Sequence, residues 1–165
     1  LAPAKAGEGA LFVFSRCKKI MEKLPVRRVA VLNDDAGLLA ILQRWQKRGG
    51  FGSGAEWSFY SNARSLQREL KLGKKFDLIL TDVLVPGGGG PLIAAQLRQN
   101  SIPTPIIALT QYEDSPATAL WLYSAGMDGM ITVDSFFGAR DGDMLFLAQK
   151  LQNYFYYRDL HHWTY

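Results

Sequence analysis

A chain of 165 residues has room for one domain with a sizeable core, and 48% hydrophobic with 21% charged residues is an ordinary globular balance. No apolar run reaches the length of a membrane span, the opening residues lack the basic-then-apolar order of a signal peptide, and the single cysteine, Cys17, excludes an internal disulfide and fits a reducing, cytoplasmic setting. The net charge of +4 hides an asymmetry: through Lys75 there are 15 Lys and Arg against 6 Asp and Glu, and from Phe76 onward 4 against 9.

Leu1 is not a natural start, so the chain is read as a fragment or a processed product. Residues 1–9 are small and polar, a loose tail. Ala10, Phe14, Cys17, Met21 and Leu24 then recur at helical spacing, and Pro25 closes the segment. We take residues 1–26 as tail and connector helix; whether that helix packs on the downstream domain is left open by the sequence. Val29 to Leu32 is a short strand, followed by Asn33, Asp34 and Asp35. Leu38, Leu39, Ile41, Leu42 and Trp45 mark the apolar face of a helix, and Gly49 to Gly54 read as a flexible linker. Trp57, Phe59 and Tyr60 suggest a second strand, after which Ser61 or Asn62 caps a helix carrying Leu66, Leu70 and Leu72.

The stretch Phe76 to Gly90 is the most informative. Leu78, Ile79 and Leu80 form the short apolar run of a strand buried on both faces, and Asp82 stands where that strand ends. Pro86 and four glycines then break the backbone before a helix containing Leu92 to Leu97. Pro105 to Leu109 make a fourth strand ending at Thr110. Ser115 and Pro116 open a helix through Ala119, Leu120, Leu122 and Tyr123 that Gly126 stops. Met130 to Val133 are a fifth strand, and Met144 to Tyr157 a long last helix. Five alternations of strand and helix argue an α/β, flavodoxin-like, doubly wound parallel sheet in the order 2-1-3-4-5 with an extra N-terminal helix.

Three strand ends therefore present polar groups on one edge, the edge where open parallel sheets gather chemistry. Strands one and three are neighbours in this order, so Asp34 or Asp35 and Asp82 converge. Taken singly, each is as well explained as a cap or turn residue. Together they form a group of repelling carboxylates that a hard, oxygen-seeking cation such as magnesium relieves. An aspartate beside such a cation is a competent nucleophile toward a phosphoryl group, and the Thr110 hydroxyl can bond one of its oxygens.

Leu32-Asn-Asp-Asp35, Leu80-Thr-Asp82-Val-Leu-Val-Pro86, Ala108-Leu-Thr110 and Ala125-Gly-Met-Asp-Gly-Met130 together resemble the receiver domain of two-component signalling, over roughly Arg27 to Tyr157. The resemblance implies a domain at 27–157 followed by an aromatic tail at 158–165. It implies Asp82 as phosphoacceptor, with magnesium held by Asn33, Asp34, Asp82 and the carbonyl of Leu84, and Thr110 as switch hydroxyl. It implies a histidine kinase or phosphotransfer protein as partner and no enzymatic activity beyond self-phosphorylation on Asp82. Three departures stand out. Where the family carries an acidic pair after the first strand, the first position here is Asn33. The position where receivers carry a lysine after the fifth strand is Val133, followed by Asp134, and no Lys or Arg occurs from Gln99 to Ala139. The switch aromatic is replaced by Met130, which cannot donate a hydroxyl hydrogen bond.

Other signals are weaker. Gly87 to Gly90 lack the following Lys-Ser/Thr of a phosphate-binding loop, Gly49 to Gly54 come in the wrong order for a dinucleotide fingerprint, and the adjacent His161 and His162 do not make a metal site. The early basic residues fall mostly on polar helix faces, with no nucleic-acid module beside them. Tyr154, Phe155, Tyr156, Tyr157, Trp163 and Tyr165 suit either a dimer or partner contact through the last helix and tail, or folding back over the sheet. The functional readings are a phosphorelay receiver, a phosphorylation-independent pseudo-receiver acting as an interaction module and, less favoured, a metal-dependent phosphatase.

Overall fold

The computed structural model describes residues 6–112, 115–135 and 137–163, the outermost turns of the terminal helices by backbone alone. The elements run α1 (Ala6–Glu22), β1 (Arg28–Leu32), α2 (Ala36–Lys47), β2 (Glu56–Tyr60), α3 (Ala63–Lys71) and β3 (Leu78–Thr81). They continue as α4 (Gly90–Gln99), β4 (Ile106–Thr110), α5 (Pro116–Ser124), β5 (Gly129–Thr132) and α6 (Asp141–Trp163). The five strands form one parallel sheet in the order β2-β1-β3-β4-β5, the order the alternation predicts. Among the described residues, no helix is long and apolar enough to cross a membrane.

Alternation along each strand divides the core into two layers. Val29, Val31, Leu78, Leu80, Ile107 and Leu109 face α1, α2 and α6, whereas Ala30, Leu32, Ile79, Ile106 and Ala108 face α3, α4 and α5. With helices on both faces, these strands need no polar side, which is why they read as continuous apolar runs. Fully buried side chains such as Leu42, Leu66, Ile93 and Leu147 contribute roughly 1.5–3 kcal/mol each in transfer free energy.

The packing of α1 is decided by its buried side chains. Cys17, Ile20 and Met21, with Leu24 just past the helix, are buried with Leu42 and Trp45 of α2 and with Met144, Leu147 and Leu151 of α6. Phe14 stacks on Trp45 at 5.5 Å, under the Arg48 guanidinium. The helix is thus part of the domain's core; the side chain of Ala10 lies outside the described residues.

Other expectations change in detail. The glycine segment is a folded turn rather than a flexible linker: Phe51 is 2% exposed and stacks on Trp57 with ring centroids 4.1 Å apart. Asn62, not Ser61, caps α3 by accepting the Ser65 N–H. Leu72 is the C-cap of that helix and is 81% exposed instead of buried. In α5 only Leu122 is buried, while Leu120 and Tyr123 face solvent. Helix α6 extends beyond Met144 and Tyr157 at both ends, taking in His161, His162 and Trp163; Tyr165 lies outside the described residues. Its aromatics divide: Phe155 is buried and Tyr154 packs against it edge-on, whereas Tyr156 and Tyr157 are exposed.

Candidate functional site

At the carboxyl end of β1 the Asn33 N–H bonds Tyr60 O at 3.0 Å, and its buried side chain accepts the Asp35 N–H at 2.8 Å. This Asx turn lets the chain leave the sheet and enter α2. Asp35 is the N-cap of that helix, one carboxylate oxygen accepting the N–H groups of Gly37 and Leu38. Asp34, between them, is exposed.

At the end of β3, Asp82 is held from several sides. Its N–H bonds Leu32 O at 2.9 Å, its carbonyl accepts Gly90 N–H at 3.0 Å and the Thr81 hydroxyl at 2.8 Å, and Oδ1 accepts Val83 N–H at 2.7 Å. The carboxylate is half-buried. At the end of β4, Thr110 is buried, with Oγ1 accepting Tyr112 N–H at 3.3 Å and the carbonyl accepting Val133 N–H at 2.9 Å. Val133 follows β5 with its side chain packed into the core.

These strand ends surround a cleft of about 460 Å³ lined by Asn33, Asp34, Asp35, Asp82, Leu84, Thr110, Val133 and Asp134, with Leu38, Leu109, Gln111, Tyr112, Ser135 and Phe137 completing its wall. Residues 29–134 match the response regulator receiver domain family, more than half of the chain. The chain belongs to that family.

Solved receivers share the fold. The receiver of Vibrio cholerae CheY4, a chemotaxis response regulator, aligns with a TM-score of 0.59 at 21% identity over 76% of this chain and 98% of its own. The receiver domain of Francisella response regulator 1452 aligns at 0.58 and 20% identity, over 77% of this chain and 97% of its own. Thermotoga maritima DrrB, an OmpR/PhoB homologue, aligns at 0.60 and 18% identity over 78% of this chain, which spans only 52% of DrrB.

In this receiver the cleft brings together Asn33, Asp34, Asp82, Leu84, Thr110 and Val133. It does not include Met130, which lines a separate cavity of about 110 Å³ with Leu122, Tyr123 and Met127. Four aspartates line the cleft, and none of its described lining residues is Lys or Arg. Arg140, the base nearest in sequence, is not part of the wall: its guanidinium lies 3.6 Å from Asp134 and 3.8 Å from Asp143, mostly in solvent.

As a metal site the donor set is sparse. Among the described residues no three His, Cys, Asp or Glu side chains are grouped so as to hold a metal ion, and the Asp35 carboxylate is already engaged as a cap. With Asp134 paired to Arg140, what remains is all oxygen: two carboxylates, Asp34 and Asp82, beside the Asn33 amide oxygen and backbone carbonyls. That composition fits magnesium, which keeps several waters and binds through one or two carboxylates. Sequence reasoning missed Gln111, Tyr112, Ser135 and Phe137. Gln111 and Tyr112 come just after Thr110, so the strand-end rule extends to them; Ser135 and Phe137 belong to the loop after β5, whose path no periodicity reveals.

Proposed function

We propose that this receiver works in two-component signalling without a phosphoryl switch, as an interaction module whose acidic cleft holds magnesium. The observation that carries the reading is the charge of the cleft, four aspartates with no Lys or Arg among its described lining. A phospho-aspartate adds a dianion to those carboxylates. A pocket that stabilises phosphoryl transfer places cations and donors at the developing charge. Val133 supplies neither, and Asp134 adds a like charge at the same wall, even though Arg140 pairs with it. Magnesium would be held by Asp34 and Asp82 with the Asn33 oxygen and the Leu84 carbonyl, and its charge offsets their mutual repulsion. Partners of this reading are histidine kinases or phosphotransfer proteins of the cytoplasm, met through the protein surface. Exposed Tyr156 and Tyr157 make α6 one candidate face, for a second copy or another protein. The domain itself is no enzyme in this reading.

A second reading is favoured by the placement of Asp82. It is half-buried, fixed by Val83 N–H, and shares the cleft with the Thr110 side chain, as a phosphoacceptor with a switch hydroxyl requires. Incubation with acetyl phosphate and magnesium, followed by intact-protein mass measurement, separates the two. We expect no stable adduct. A stoichiometric phosphate adduct that disappears in Asp82→Asn overturns the first reading in favour of the second.

A further inference from the structure

Helix α3 carries Arg64, Arg68 and Lys71, whose spacings of four and three put them on one stripe. All three are exposed, and none is among the ion pairs of the described residues. With Gln67 and the protruding Leu72 they line a groove of about 370 Å³ that contains no carboxylate. The one acid of the helix, Glu69, is held elsewhere, accepting the Tyr60 hydroxyl and pairing with Lys74 at 3.1 Å. The arrangement does not serve the helix itself. Arg64 lies in the first turn, where the macrodipole disfavours a cation, and Arg64 and Arg68 repel at four-residue spacing.

We propose that this groove docks an acidic amphipathic helix of a partner protein. Carboxylates at matching spacing face Arg64, Arg68 and Lys71, and one apolar side chain seats against Leu72. Charge complementarity calls for an anionic partner, and Leu72 decides which kind. A nucleic-acid backbone engages the cations and leaves the leucine idle, and a flat anionic bilayer fits poorly to a concave groove with a single apolar residue. A helix with acidic and apolar positions on one face uses both. The groove lies on the sheet face opposite α2 and α6, so the proposal stands whether or not Asp82 accepts a phosphoryl group.

The test titrates the isotopically labelled full chain with a synthetic helical peptide bearing glutamates at the matching spacing and one leucine on the same face. A peptide with glutamine for glutamate, a DNA duplex and phosphatidylserine vesicles serve as comparisons. We expect saturable NMR shifts centred on Arg64, Arg68, Lys71 and Leu72, and none with the glutamine peptide. Arg68→Glu and Leu72→Ser should each weaken binding about tenfold without lowering the melting temperature. Absent or scattered shifts overturn the proposal, as does indifference to Leu72→Ser. Tighter binding of the duplex or the vesicles than of the acidic peptide overturns it as well.

Discussion

Gly89 shows how little slack the loop beside the cleft has. Its backbone is extended, so strain is not the issue; a Cβ there would stand 1.7 Å from Val83 O and 2.4 Å from Val83 C. Backbone cannot step aside as a flexible side chain can. Gly89→Ala should therefore cost about 2–4 kcal/mol in urea denaturation; a variant as stable as the parent would show that the loop yields. Far from the cleft, Asp128 accepts Ile106 N–H at 2.8 Å and pairs with Arg98 at 2.7 Å, yet burial outweighs both and raises its pKa above the ordinary 3.8. A carboxyl whose folded pKa is raised contributes stability below its unfolded value and loses it as pH rises through the folded one. Asp128→Asn keeps an acceptor for both partners and removes that titration. Parent minus variant stability should thus increase as pH falls through the carboxylate range, and the opposite slope would mean that the Arg98 pair dominates. Residue placements are legible in the sequence where strand position alone sets them, as for Asp82 and Thr110 at the cleft. They are not legible where a loop's path decides, as for Arg140 beside Asp134.

At the scale of elements, the strands are plain in the sequence because burial on both faces leaves an unbroken apolar run. Helices are harder to read where their apolar residues do not share one face, as in α5, whose Leu120 and Tyr123 are exposed. The turn before β2 misleads for a different reason. Its glycines carry no record of Phe51, whose partner Trp57 is fixed by the sheet and which is buried in the same core layer as α1. That contact ties the first helix, the turn and the edge strand into one unit. Phe51→Ala should cost about 3–5 kcal/mol, with the cavity adding to the lost transfer energy. Tryptophan fluorescence during denaturation measures it, because Trp57 and Trp45 are both buried in this layer. A loss below about 1 kcal/mol would return the segment to the role of a linker.

For the molecule as a whole, fold and chemistry separate cleanly. The sheet order is that of the receiver fold, and the strand ends bring carboxylates and a threonine into one cleft to which the segment after β5 adds Val133 and Asp134 and no cation. Val133 is 8% exposed and belongs both to the core and to the cleft wall. A lysine there can lay its methylene stem over Leu109 and Phe137, which occupy the same two places, and bring its ammonium into the cleft. Replacing Asp134 by proline at the same time removes the opposing carboxylate. If the missing cation is what prevents phosphorylation, Val133→Lys/Asp134→Pro should gain a magnesium-dependent phosphate adduct from acetyl phosphate that the parent lacks. Adding Asp82→Asn should abolish it again. Melting curves check that the double variant is folded, since the new lysine displaces a buried valine. A folded variant that still takes no phosphate would place the block at the Asn33 end of the cleft, where an amide stands beside Asp34 and Asp35 is bound to its helix cap.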